Sequence, residues 1–150
     1  TLTGALKRRF CDTYMQPGPG SLVPMTVEMK LAVNMLIHGL NQTVSEALSL
    51  AEASGIDLEK AFDVIESSAA AAPMLSYRRP IYLNENSQEV TFTVDLATKD
   101  LEVTAALAEG LTISVPQTLL NLTELRAASA DGYGARDMAS IFNHMRKERL

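Results

Sequence analysis

Apolar and polar positions alternate along this chain with a helical rather than a strand period. The run MTVEMKLAVNMLIHGLNQTVSEALSLAEASG (25–55) spaces its apolar residues three and four apart, which predicts a helix of about eight turns. Thr26 is placed to cap its start and Gly55 to stop it. IDLEKAFDVIESSA predicts a second helix with Asp57 as N-cap, and AAPMLSYRRPIYL a shorter helical or turn segment broken by Pro73 and Pro80. After the polar loop NENSQE (84–89), DLATKDLEVTAALAEG predicts a helix ended by Gly110. PQTLLNLTELRAASADG predicts another, opened by Pro116 and stopped at Gly132. RDMASIFNHMRKERL closes the chain as an amphipathic helix, with Asp137 as its cap and a basic last turn that suits the helix dipole. Only RFCDTYM (9–15), in an irregular first stretch that ends at PGPG, reads as a possible strand. No repeat of fixed period is visible. The pattern predicts an all-α, multi-helix domain built around one long buried helix.

That long helix carries an anomaly. Lys30, Asn34, Ile37, Asn41 and Leu48 share one stripe, beside an apolar stripe of Met29, Val33, Leu36, Leu40, Val44, Ala47 and Ala51. Leu31, Met35 and Leu50 cover much of the remainder. A helix apolar on most sides is buried on most sides, so its polar stripe is expected to face a cleft or another domain. A lysine withdrawn from water must find a counter-charge or release its proton more readily. The second outcome is what a general acid/base lysine needs. The residue pattern alone leaves the alternative open, a lysine that snorkels to solvent near the helix start with Asn34 capping a loop.

Composition adds bounds. A chain of 150 residues fits one domain, and 47% hydrophobic with 21% charged residues is a globular balance. The net charge of −5 argues against nucleic acid as a partner, although residues 1–30 carry four Lys/Arg against two Asp/Glu. The single cysteine, Cys11, excludes an internal disulfide and suggests a reducing, cytoplasmic setting. No apolar signal segment and no run of about 18 uncharged apolar residues points to export or to a membrane. NQT (41–43) and NLT (121–123) match the glycosylation pattern without the secretory signal that would give it meaning. His38 and His144 stand far apart, no Cys/His/Asp cluster has metal-ligand spacing, and no metal is expected. Cys11 lacks a nearby histidine and reads as an ordinary thiol. LKRR (6–9) and RKER (146–149) read as solvated ends, and Arg78 and Arg79 as surface ion-pair residues. Tyr133 is placed to line a cleft, and the seven methionines read as helix–helix packing. GPGSLV (18–23) lacks the third glycine of a dinucleotide loop, holds Pro19 inside it and follows no clear strand.

KLAVN (30–34) at the head of a long helix, followed by EALSLAEASGID (46–57), resembles the second, helical domain of the β-hydroxyacid dehydrogenase family. This family includes 3-hydroxyisobutyrate and tartronate semialdehyde reductases, with 6-phosphogluconate dehydrogenase as a more distant relative. The resemblance extends over about residues 18–145 through FTVDLATKDLEV (92–103), ISVPQTLLNL (113–122) and DGYGARDMASIF (131–142). It implies the 6-phosphogluconate dehydrogenase C-terminal-like fold in residues 23–150, a catalytic and dimerising domain. Residues 1–22 are then a linker or the remnant of a preceding nucleotide-binding domain.

The resemblance also implies roles. Lys30 falls where the family keeps its catalytic lysine, which exchanges a proton with the substrate oxygen during hydride transfer. Asn34 falls where an asparagine binds the substrate, Lys99 where a lysine reaches toward the cofactor, and Asp100 stands beside it to orient that amine or cap locally. Phe92 matches an aromatic residue that packs ahead of this helix. The implied activity is NAD(P)-dependent interconversion of a small hydroxyacid and its carbonyl form, in a homo-oligomer. NAD or NADP is then held mainly by a domain absent from this chain, which by itself is expected to be inactive. Three positions depart from the family pattern. Pro24 and Thr26 replace glycines before the lysine, and Val33 stands where a second asparagine is common. The rival reading is a non-catalytic helical dimerisation or interaction module that kept the fold.

Overall fold

The structure, a computed structural model, describes residues 27–147. Six α-helices follow one another: α1 (Val27–Ala53), α2 (Leu58–Ser67), α3 (Pro73–Leu83), α4 (Val94–Gly110), α5 (Pro116–Ala128) and α6 (Ile141–Lys147). A π-type turn at Ser129–Tyr133 and a 3-10 turn at Met138–Ser140 link α5 to α6. Among the described residues there are no strands beyond one isolated bridge between Thr93 and Asp137. The described residues adopt the predicted all-α class. RFCDTYM, GPGSLV, Cys11, LKRR, Pro24 and Thr26 lie outside the described residues.

α1 is the spine, in contact with α2, α4, α5 and α6, while α4 and α5 pair along their length. Leu48, Phe62, Leu75, Leu101, Ile141 and Phe142, from α1, α2, α3, α4 and α6, meet in one core. Gly39 lets α5 come close to α1: a Cβ there would stand 3.0 Å from Gln117 Nε2. The end of α1 is closed as read from the sequence. Gly55 takes φ +79°, Ile56 N donates to Ala51 O and Gly55 N to Glu52 O, the Schellman arrangement. Asp57 caps α2 through Glu59 N and Lys60 N.

Two local expectations are corrected. Pro80 lies inside α3 without ending it. The residues around it are clamped from outside: Leu75, Ile81 and Tyr82 lie in the core and Arg78 and Arg79 are both ion-paired, so tertiary contacts outweigh the lost backbone bond. α4 ends at Gly110 as read, and the left-handed position that follows falls at Thr112. Thr112 takes φ 55° with Ile113 N bonded to Ala108 O, so a β-branched residue occupies the left-handed position. α1 is less buried on its apolar faces than expected: Asn34, His38, Asn41 and Ser45 point into the molecule, whereas Leu36 and Leu50 are 74% and 71% exposed. The interior accommodates this because it supplies polar partners. Asn41 accepts from the Tyr82 hydroxyl and donates to Met138 O at 3.0 Å. Burial pushes the Tyr82 hydroxyl well above its ordinary pKa.

Candidate functional site

The site forms where the first turns of α1 meet α4. Lys30 and Asn34 stand four residues apart, so their side chains leave the same face of α1 one turn after another. Asp100 approaches from the second turn of α4 and meets both. Lys30 Nζ donates to Asp100 Oδ2 at 3.3 Å, and Asn34 Nδ2 donates to the same oxygen at 2.5 Å. The Lys30 side chain keeps 27% exposure and Asp100 18%, so the pair opens to solvent at one end. Asn34 is buried, and its Oδ1 has no hydrogen-bond partner. With its amide nitrogen engaged by a carboxylate, that oxygen is left as an acceptor. Asp100 thus supplies Lys30 with a counter-charge.

One turn deeper stands His38, 3% exposed, its ring 5.7 Å from the half-buried Phe92. Burial lowers its pKa to about 4 against the pull of Asp100, with the charges of Arg78 and Lys30 acting in the same direction as burial. The imidazole is therefore neutral at pH 7. Sequence reasoning weighed His38 only as a metal ligand and missed it here. The available signal was that it continues the four-residue spacing of Lys30 and Asn34. Among the described residues no group of three or more His, Cys, Asp or Glu is placed to hold a metal.

The α4 side of the site is held by an ionic junction. Arg78 on α3 bonds Asp137 in a pair whose side chains are 4% and 2% exposed. Arg78 Nη2 also donates to Thr91 Oγ1 at 3.2 Å. Thr91 N donates to Asp137 Oδ2 at 3.4 Å, Ala139 N to Asp137 Oδ1 at 3.0 Å, and Met138 N to Phe92 O at 2.8 Å. Segment 91–93 is thereby fixed between α3 and the turn before α6. Thr93 then caps α4 through Leu96 N, which sets the register of Lys99 and Asp100.

Several assignments shift accordingly. Lys30, Asn34 and Asp100 come together, while Lys99 stays exposed on the neighbouring position of α4, outside their hydrogen bonds. Asp100 thus serves the Lys30–Asn34 pair. Arg78 is buried rather than at the surface because Asp137, read only as a cap, is also its counter-charge, whereas Arg79 makes part-exposed pairs with Asp63 and Glu66. Tyr133, read as lining a cleft, is 2% exposed among the described residues. It is buried against His144, with Arg136 stacked 4.1 Å from its ring centre. Arg146, read as part of a solvated end, pairs with Glu52 at 2.7 Å. A separate, open groove at the far end of α4, between Ala105, Glu109, Ile113 and Leu119, lacks a comparable convergence of polar groups.

A family model described as NAD-binding of NADP-dependent 3-hydroxyisobutyrate dehydrogenase matches residues 26–145. The chain is 26% identical over 122 residues to glyoxylate/succinic semialdehyde reductase 1 of Arabidopsis thaliana, an alignment covering 81% of this chain and 42% of the relative. It is 28% identical over 129 residues to 3-sulfolactaldehyde reductase of Escherichia coli (strain K12), covering 86% of this chain and 42% of the relative. L-threonate dehydrogenase of the same organism is 28% identical over 127 residues, 84% and 39% of the two chains. A crystal structure of 3-hydroxyisobutyrate dehydrogenase from Salmonella typhimurium superposes with TM-score 0.70 and 26% identity over 76% of this chain and 40% of its own. The Mycobacterium tuberculosis 3-hydroxyisobutyrate dehydrogenase shares the fold, with TM-score 0.70 at 20% identity over 78% and 42% of the two chains. The chain thus spans about two fifths of the length of the curated relatives it matches. The expectation that the cofactor belongs mainly to an absent domain is corrected in part, since the NAD-binding description attaches to residues of this chain. With that model matched over residues 26–145 of 150, the chain belongs to the 3-hydroxyisobutyrate dehydrogenase-like family.

Proposed function

We propose that this chain supplies the acid/base and substrate-holding residues of an NAD(P)-dependent hydroxyacid dehydrogenase or reductase. The observation that carries this reading is the convergence of Lys30 and Asn34 on Asp100 at a part-exposed position, in a chain of this family. Bound nicotinamide supplies or accepts the hydride. In the reducing direction the carbonyl carbon gains that hydride, the C–O π pair moves onto oxygen, and the Lys30 ammonium gives that oxygen its proton. In the oxidising direction the neutral amine removes the hydroxyl proton as the hydride leaves carbon. Asp100 holds the lysine amine and the Asn34 amide nitrogen, which leaves Asn34 Oδ1 as an acceptor to orient the bound substrate. Lys99, exposed beside Asp100, suits a polar or anionic part of the cofactor at the mouth of the site.

Lys30→Ala in the complete protein tests this. Turnover is expected to fall by roughly two to four powers of ten, the range for a lost general acid/base, and Lys30→Arg to restore little because guanidinium keeps its proton. Asn34→Ala is expected to cost less and to act partly on KM. A non-catalytic module or a structural lysine predicts near-normal turnover for Lys30→Ala.

The same reading includes self-association. Val33, Leu36, Leu40, Ala47 and Leu50 fall on one heptad-spaced stripe of α1, and Leu36 and Leu50 are largely exposed. A second copy is the proposed cover for this stripe.

A further inference from the structure

Two buried side chains at this site have polar atoms that no protein group meets, and they are consecutive members of one helical row. Asn34 leaves Oδ1 unpartnered, and His38, 3% exposed, leaves both Nδ1 and Nε2 unpartnered. An unmet buried polar atom opposes folding, and a leucine at position 38 would fill a helix interior without that penalty. The surroundings give the imidazole no internal task. Its ring lies against Phe92, and the nearby charges are engaged elsewhere, Asp100 with Lys30 and Asn34, and Arg78 with Asp137.

We infer that His38 is a substrate-positioning residue, hydrogen-bonding an oxygen on the branch of the hydroxyacid next to the reacting carbon. This rests on the proposed dehydrogenase reading and extends it to specificity. Lys30, Asn34 and His38 step inward along α1, from the part-exposed amine to the buried ring. With the reacting oxygen at Lys30 and the substrate oriented by Asn34, the next group on the substrate skeleton comes to His38. A neutral imidazole offers one N–H donor and one lone pair, which suits an uncharged hydroxyl. A methyl group in that place would leave the ring unmet, and sites built to hydrogen-bond a substrate group discriminate strongly against analogues that lack it.

The test compares two substrates of one skeleton, glycerate with a hydroxyl on C2 and 3-hydroxyisobutyrate with a methyl there, in the complete enzyme. Wild type is expected to favour glycerate in kcat/KM. His38→Leu should lower that preference about tenfold or more, acting mainly through KM for glycerate and leaving 3-hydroxyisobutyrate nearly unchanged. His38→Gln, which keeps a donor and an acceptor, should return part of it. A merely structural histidine would move both substrates together, or neither. An unchanged preference ratio in a folded His38→Leu, or a wild type that favours the methyl compound, overturns the inference. If His38→Leu does not fold, the His38→Gln ratio is decisive, an unchanged value ruling against a substrate contact and a changed one supporting it. Lys30→Ala, assayed alongside, keeps the two claims apart. If it abolishes turnover while His38→Leu leaves the ratio intact, only the His38 assignment fails; if it turns over normally, the underlying dehydrogenase reading fails.

Discussion

Lys30 and Asn34 were legible as a pair because four-residue spacing on a helix is a strong geometric statement. Asp100 was legible only as a neighbour of Lys99, since nothing in TKD says which helix it will face. Its contact with Lys30 bridges 70 positions in sequence. His38 left a weaker trace still, because a lone histidine in an apolar helix has no local signature. It does carry a pH signature. Its pKa is lowered from 6.5 to about 4, chiefly by burial with Arg78 and Lys30 assisting and Asp100 opposing. The unfolded chain takes up this proton first, so the contribution to stability is complete above the unfolded value and is lost as pH falls from about 6.5 toward about 4. The loss amounts to roughly 3 kcal/mol at most for a shift of this size. Urea unfolding of the wild-type chain and of His38→Leu across this window checks it, with a visibly smaller decline expected for the variant. Parallel declines would remove His38 as the cause.

Helix order was legible because periodicity, caps and prolines agree. Errors arose where tertiary contacts overrode a local signal. Pro80 reads as a break only until Arg78 and Arg79 are seen ion-paired on either side of α3's buried face. The Arg78–Asp137 junction also fixes Phe92 and the start of α4, so its removal should damage the fold before the chemistry. Arg78→Met leaves Asp137 buried and uncompensated, and is expected to cost about 3–5 kcal/mol. Adding Asp137→Leu should recover part of that, though not the bonds Asp137 accepts from Thr91 N and Ala139 N. Denaturant midpoints of the single and double variants check both statements. A single variant within about 1 kcal/mol of wild type, the usual level of an exposed pair, would show that the junction is not the clamp described.

At the scale of the molecule, α1 turns its polar stripe inward and leaves an apolar heptad stripe outward, where periodicity alone expected a helix buried on most sides. An apolar stripe has no sign that says whether a core or a second copy will cover it. If a second copy does, Leu36→Lys with Leu50→Lys should yield a monomer at concentrations where wild type sediments as a dimer or larger. A wild type that is monomeric across the micromolar range contradicts the assembly.

The central claim, that Lys30 moves the proton during hydride transfer, is tested most directly by a single turnover of the complete enzyme. Stopped-flow absorbance of the nicotinamide isolates the chemical step from product release. Lys30→Ala is predicted to slow that step by at least about two powers of ten, with cofactor binding measured separately and unchanged. A single-turnover rate within about tenfold of wild type lies outside the general acid/base range and would contradict the assignment.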